Sequence, residues 1–154
     1  MVEERSKLAT LCAALNDAGV AYLLIGSQAL ILWGSTRATR DVDILIEPTV
    51  ENAQRLLDAL ADLGLWIVRD IAAAEVAAKP VTIIGDLWTN VDVFTVAWSI
   101  YYRDAVPAAI TFTVDGVPIP TASIDHLIAS KRTGRVRDAL DIEVLEDIRR
   151  RRGG

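Results

Sequence analysis

Asp41 and Asp43 are the residues of this sequence whose type and spacing most directly suggest chemistry. They alternate with apolar residues in the segment DVDILIE, residues 41–47, so a β-strand there directs both carboxylates to the same face. Two residues of strand separate their Cα atoms by roughly 6.5 Å, which lets both side chains reach one cation. Oxygen ligands without sulfur or imidazole favour Mg²⁺ or Mn²⁺ over zinc. The alternative is a strand with one hydrated face, because an isolated Asp-x-Asp pattern is common.

Two further features accompany these acids. Gly26-Ser27 follows the apolar run at residues 20–25 and precedes the apolar segment QALILW, so it lies between a predicted strand and a predicted helix. Glycine allows close approach of a ligand to the backbone, and free N–H groups at a helix start suit a phosphate. Simple helix capping by Ser27 is the alternative. Asp92 lies in NVDVFTV, so three carboxylates share one face if the two alternating strands are neighbours.

The combination of Gly26-Ser27, Asp41-Val-Asp43 and a later strand acid resembles the nucleotidyltransferase superfamily, which has the DNA polymerase β-like fold. The resemblance covers residues 20–96 and extends more loosely to LIASKRTGRVRDALDI. The small single-domain bacterial members are the most similar: toxins of abortive-infection systems (AbiEii-like), minimal nucleotidyltransferases and antibiotic nucleotidyltransferases.

The resemblance implies a role for each of these residues. Asp41 and Asp43 bind the divalent ions that hold a nucleoside triphosphate, and Asp92 shares one ion and orients or deprotonates the attacking hydroxyl. Gly26 and Ser27 hold the β- and γ-phosphates.

The basic residues expected near the acids have alternative interpretations. Lys131 is expected to approach the triphosphate, as a lysine does in small family members, or to be a lysine favoured at a helix C-terminus. Arg37 and Arg40 precede the acids, and either is expected to contact phosphate. The alternative for Arg40 is that it only neutralises the charge of the acid cluster. Asp138 and Asp141 are expected to pair with arginines.

The remaining pattern predicts helices and strands that interleave, hence an α/β (α+β) fold with a mixed central sheet, flanking helices and a helical C-terminus. Strands are predicted at residues 20–25, 41–47, 65–69, 81–85 and 90–96, with a turn at 86–90, an ambiguous segment at 97–103, and a hairpin about Asp115-Gly116 within 109–120. Helices are predicted at 3–18, 28–33, 49–63, 71–79, 123–131 and 136–150. Leu140, Val144, Leu145 and Ile148 are expected to face inward on the last helix, and the tryptophans are expected to be packing residues.

Composition limits the class of protein. The 154 residues carry 52% hydrophobic and 24% charged side chains with a net charge of −5, which predicts one globular domain over 1–154, with a core at 20–96 and a helical element at 123–150. The one cysteine, Cys12, and the one histidine, His126, exclude disulfides within the chain and zinc sites with several sulfur or imidazole ligands. Cys12 is expected in the core and His126 at the surface. The N-terminus lacks a signal core and no apolar run reaches a membrane span, so a cytoplasmic location is expected.

These observations favour an enzyme that moves a nucleoside monophosphate from a triphosphate to a hydroxyl and releases pyrophosphate. An RNA end, a protein side chain and a small molecule remain open as acceptors, and so does action within a toxin–antitoxin pair. The four arginines 149–152 mildly favour an RNA or acidic partner, although a solvated, frayed tail is the preferred interpretation. The competing hypothesis is a non-catalytic, antitoxin-like protein of the same fold that binds nucleotide or a partner.

Overall fold

The helices of this protein follow the predicted order closely. The computed structural model describes residues 5–85 and 90–153, so the predicted turn at 86–90 and Trp88 lie largely outside the described residues. Within those ranges the α-helices are α1 (Lys7–Asp17), α2 (Gly26–Trp33), α3 (Val50–Asp62), α4 (Ala73–Ala78), α5 (Tyr102–Ala105), α6 (Ile124–Ser130) and α7 (Val136–Arg151).

The strands form a mixed sheet, as the sequence predicted. They are β1 (Tyr22–Ile25), β2 (Val42–Ile46), β3 (Val81–Gly85), β4 (Asn90–Phe94), β5 (Val96–Ala97), β6 (Ile100–Tyr101), β7 (Ile110–Val114) and β8 (Val117–Thr121). In the described part of the chain, six of them make one sheet in the order β3-β4-β2-β1-β8-β7, and β5 and β6 form a separate small hairpin. The β2–β4 and β1–β8 pairs are parallel, and the other pairs are antiparallel. The α/β class with a mixed sheet is therefore confirmed.

Helix caps fix where several elements begin. The side chains of Ser6, Thr49 and Ser123 each accept a hydrogen bond from a backbone N–H in the first turn of α1, α3 and α6, which satisfies a donor that has no partner within the helix. The hairpin between β7 and β8 turns at Asp115-Gly116 with both residues at positive φ, the conformation that a tight two-residue turn requires. The starts of α3 and α6 and the position of the hairpin agree with the sequence predictions, whereas α1 begins at Lys7, later than predicted.

The core lies at the centre of the sheet. All of β1 and the apolar residues of β2 are buried, whereas the edge strands β3 and β7 are largely exposed. Cys12 is fully buried, as expected, and burial raises the pKa of its thiol to about 11. None of the helices in the described residues is long and apolar enough to cross a membrane.

Two local predictions were wrong, and a third, that His126 lies at the surface, is met in part. Residues 65–69 are not a strand, since Trp66–Asp70 is a 3₁₀ helix that follows α3. The tryptophans are not all packing residues, because Trp66 and Trp98 are each 62% exposed. His126 is only partly exposed, with its Nδ1 3.0 Å from the Ser123 hydroxyl.

Helix α7 buries a different face from the one that the sequence predicted. Leu140 and Val144 are exposed, and the buried face consists of Asp138, Asp141, Leu145 and Ile148. The C-terminal arginines are not a frayed tail either, because α7 continues to Arg151. Arg149 pairs with Asp125 at 2.7 Å, and the Arg152 guanidinium lies 4.9 Å from the centre of the Trp33 ring.

Candidate active site

Parallel pairing of β2 and β4 brings two of the predicted acids side by side. Asp43 lies directly opposite Asp92 in the register, and Ile25, the last residue of β1, lies opposite Asp43 on the other side. Neighbouring strands lie roughly 4.7–4.9 Å apart, and the two carboxylates interact through charge and a hydrogen bond. The sequence condition that the two strands be neighbours is therefore met.

Gly26 makes room for the Asp43 carboxylate. It is the first residue of α2 and has φ +68°, a left-handed conformation that favours glycine. A Cβ at this position would overlap the carboxylate and lie 2.8 Å from the Asp43 Cγ. The tight junction between β1 and α2 thus allows a carboxylate to lie against bare backbone.

The two opposed acids have perturbed proton affinities. Burial, followed by the charge and hydrogen bond of Asp92, raises the pKa of Asp43 to about 7. Lys131 opposes this shift by its positive charge. Burial also raises the pKa of Asp92. Two such carboxylates share a proton or require a cation between them.

Asp41 and Ser27 extend the acids into a cleft of about 350 Å³. The cleft is lined by polar and charged residues from the β1–α2 junction, the loop before β2, strands β2 and β4, and the α6–α7 region. Asp41 is exposed, and the Asn90 side-chain amide lies 3.4 Å from its Oδ1. Ser27 is half-buried, and the N-cap position of α2 is Ile25, which supplies no side-chain hydrogen bond to the helix. Capping therefore does not account for Ser27 in the described structure.

A buried ion-pair cluster closes the opposite wall of the cleft. The Asp141 carboxylate of α7 contacts the Arg37 Nη1 at 2.8 Å and the Lys131 Nζ at 3.1 Å. Lys131 also lies 3.7 Å from Asp138. Burial alone would raise the pKa of Asp138, but the Thr133 hydrogen bond and the charges of Lys131 and Arg135 outweigh it, so the pKa is lowered. The predicted pairing of the α7 acids with cations is thus present.

The cations of the cleft differ in part from those expected. Lys131, Arg37, Arg135 and Arg137 line it, whereas Arg40 lines a neighbouring groove beside Lys7 and Gln28. Sequence reasoning did not assign Arg135 and Arg137 to the cleft. A usable signal was the 138-141-145-148 spacing, which places the two acids on the same helix face as two core residues and orients the start of α7 toward the sheet.

The donor set fits a divalent cation that is shared with a substrate. In the described residues, no three acidic, histidine or cysteine side chains are already grouped as a complete metal site. Mg²⁺ is commonly held by one or two carboxylates together with substrate phosphates. The pair of Asp43 and Asp92, whose charges are only partly compensated by Lys131, meets that requirement.

Comparison with known proteins identifies the fold. No family model matches the sequence, and no curated protein matches it. Among solved structures, an antigenic nucleotidyltransferase-like protein from Paracoccidioides brasiliensis matches with a TM-score of 0.58 and 16% identity, over 91% of this chain and 72% of the other. The lincomycin-bound lincosamide antibiotic adenylyltransferase LnuA matches with a TM-score of 0.55 and 16% identity, over 95% of this chain and 99% of the other. The chain therefore has the nucleotidyltransferase fold that the sequence predicted.

Proposed function

We propose that this protein is a metal-dependent nucleotidyltransferase that moves a nucleoside monophosphate from a nucleoside triphosphate to a hydroxyl acceptor and releases pyrophosphate. The observation that carries the proposal is the direct opposition of Asp43 and Asp92 beside the bare backbone of Gly26. The nucleotidyltransferase fold of the chain supports it.

In this proposal the phosphates bind between the β1–α2 junction and Lys131. Gly26 lets the triphosphate approach the backbone, and the Ser27 hydroxyl donates to a phosphate oxygen. The Lys131 ammonium, held by Asp138 and Asp141 at 3.7 and 3.1 Å, supplies positive charge at a fixed position. Nucleotidyl transfer depends mainly on such positioning and charge neutralisation.

The carboxylates act on the metal and on the acceptor. Asp43 and Asp92 would hold the divalent ion together with Asp41, which is exposed in the same cleft. When bound, Mg²⁺ or Mn²⁺ supplies charge neutralisation of the triphosphate and orientation of the reacting groups.

Asp92 also accepts the proton of the acceptor hydroxyl, directly or through water. Burial raises its pKa, which makes it a stronger base than an exposed aspartate. The acceptor oxygen forms a bond to the α-phosphorus, the bond from that phosphorus to the bridging oxygen of the β-phosphate breaks, and pyrophosphate leaves.

The acceptor class remains open between an RNA end, a protein side chain and a small molecule. LnuA, which this chain matches over nearly the whole length of both proteins, is described as an antibiotic adenylyltransferase. This supports a small molecule as the first acceptor to test. A toxin–antitoxin partner belongs to the same proposal and rests on the sequence resemblance.

Thermal melting with nucleotides tests the metal and nucleotide site. Wild type and Asp41→Asn/Asp43→Asn are melted with each nucleoside triphosphate, with and without Mg²⁺. A ligand at 100 times its Kd stabilises the native state by about 2.7 kcal/mol, so wild type is expected to show a Mg²⁺-dependent rise in Tm that the double variant lacks. Absence of a rise in wild type with any triphosphate would contradict the proposal.

Transfer itself is tested with α-³²P-labelled triphosphate and three acceptor pools: RNA, protein and small hydroxylated antibiotics. Wild type is expected to label one pool, and Asp92→Asn is expected to lose labelling while it still unfolds cooperatively on heating, which shows that its fold is intact. Nucleotide binding without labelling of any pool would favour the non-catalytic, antitoxin-like alternative.

A further inference from the structure

Trp98 occupies an unusual position beside the acid cluster. It is the first residue of the two-residue turn that joins β5 and β6 and has φ 59°, in the left-handed region. Bulky side chains rarely adopt that conformation, and here the side chain is 62% exposed. The core therefore does not explain why a large ring is held there, and an exposed ring in a strained turn next to a functional cleft points to a ligand.

Trp98 lines a second, smaller cleft of about 160 Å³ that adjoins the charged cleft. Trp98, Phe94 and Ala97 give this cleft an apolar side, while Gly26 and Asp43 form its junction with the acid cluster. Asp43, Lys131, Arg135 and Asp138 line both clefts. A ligand can thus extend from one cleft to the other past Gly26 and Lys131.

The volumes of the two clefts suit different parts of a nucleotide. Sites for complete small molecules usually enclose roughly 300–1,000 Å³, so the charged cleft of about 350 Å³ is large enough for a polyphosphate with its ions. The smaller cleft takes one planar group, and its apolar wall gives that group a surface for stacking.

We propose that Trp98 is the stacking platform for the nucleobase of the triphosphate, and that the cleft between Trp98 and Gly26 is the base subsite. The inference rests on the proposed function, because it takes the charged cleft to hold the phosphates. Stacking tolerates every base, since each has a flat π-face, and larger purine rings gain more contact than pyrimidines. The subsite therefore contributes affinity for any nucleoside triphosphate, with ATP and GTP bound more tightly than CTP and UTP.

Calorimetric binding separates the base from the phosphates. Mg²⁺-ATP and Mg²⁺-tripolyphosphate are titrated into wild type, Trp98→Asn and Trp98→Phe. Asparagine tolerates the left-handed backbone of the turn and removes the ring, and phenylalanine keeps a smaller ring. Trp66→Ala is the matched control, because Trp66 is equally exposed at 62% and lines neither cleft.

Trp98→Asn is expected to weaken ATP binding roughly 5- to 100-fold, the range that a lost base–aromatic stack gives. Its affinity for tripolyphosphate should equal that of wild type, Trp98→Phe should retain most of the ATP affinity, and Trp66→Ala should bind both ligands as wild type does.

Two results would overturn the inference while leaving the proposed function intact. Unchanged ATP affinity in Trp98→Asn would mean that the ring serves the acceptor or another purpose. An equal loss for ATP and tripolyphosphate would mean that the hairpin shapes the phosphate cleft without touching the base. Failure of wild type to bind either ligand would instead overturn the proposed function and this inference together.

Discussion

At the scale of single residues, the burial of Asp43 beside Asp92 opposes stability in the metal-free protein. Two like charges in a partly dehydrated position raise the free energy of the ionised native state. A native Asp43 pKa of about 7, raised from 3.8, means that the folded protein keeps a proton that the unfolded chain has already lost. Stability therefore falls as the pH rises from about 4 to about 7 and levels off above that.

Asp43→Asn removes the destabilisation that the ionised Asp43 carboxylate causes above about pH 7. In EDTA the variant and wild type should unfold with similar free energies near pH 4, and at pH 8 the variant should be more stable by roughly 2–4 kcal/mol. Denaturant unfolding across pH 4–8 measures this, and the difference between the two curves reports Asp43 together with the titration of Asp92 that depends on it. Parallel curves would show that the acids are compensated without a metal ion.

Gly26 is the second residue at which the site constrains the chain. Gly26→Ala adds a Cβ against the Asp43 carboxylate and places alanine at φ +68°. Gly19→Ala is the matched control, since Gly19 has φ +71° and no atom within 4 Å of the added Cβ.

Backbone strain alone should cost Gly19→Ala roughly 1–2 kcal/mol of unfolding free energy. Gly26→Ala should lose at least about 1 kcal/mol more, because overlap is added to strain, and should also lose the Mg²⁺-nucleotide rise in Tm. Equal costs in the two variants, measured by urea unfolding, would mean that Asp43 moves aside freely.

At the scale of elements, periodicity located the helices well but oriented α7 wrongly. Apolar residues were assumed to face inward, which selected Leu140 and Val144. The ion pairs of Asp138 and Asp141 with Lys131, Arg37 and Arg135 stabilise these acids in a buried position. Helix α7 is therefore rotated so that the acids face inward and Leu140 and Val144 face outward. The 138-141-145-148 spacing indicates this face, but the pairing of Asp141 with Arg37 cannot be read from the sequence, because these two residues are distant in the chain and meet only in the folded protein.

The corrected orientation predicts a contrast between two leucines of α7. Leu145 is fully buried, whereas Leu140 is 55% exposed. Leu145→Ala should lower the unfolding free energy by about 2–5 kcal/mol, and Leu140→Ala should change it by less than about 0.5 kcal/mol. Urea denaturation of both variants measures this, and a large effect of Leu140→Ala would restore the original orientation.

At the scale of the whole molecule, the sequence predicted the strands of the mixed sheet and the acids on two of them because both depend on local signals. The pairing of β2 with β4, which brings Asp43 and Asp92 together, was only a condition of that prediction. Alternation identified β2 and β4, and glycine with serine marked the β1–α2 junction. The second wall of the cleft was only partly predictable. Lys131 was expected near the triphosphate, but the contact of Arg37 with Asp141 joins the loop before β2 to α7 across more than a hundred residues.

The Arg37–Asp141 contact connects the loop before β2 to α7. Its contribution to the free energy of unfolding can be compared with that of an exposed ion pair between the same two residue types. Arg37–Asp141 at 2.8 Å and Arg149–Asp125 at 2.7 Å have nearly equal lengths, but the Asp141 side chain is 3% exposed and the Asp125 side chain is 76% exposed. Breaking a buried pair leaves charges uncompensated and costs several kcal/mol, whereas exposed pairs contribute little. Asp141→Asn should therefore lower the unfolding free energy by about 2–4 kcal/mol, and Asp125→Asn by less than about 1 kcal/mol, as measured in urea.

Because Asp141 also holds Lys131 at 3.1 Å, its variant should weaken tripolyphosphate binding too, while Asp125→Asn leaves it unchanged. Equal, small effects of both substitutions would show that the cleft wall is held by apolar packing of α6 and α7, without help from the ion pairs.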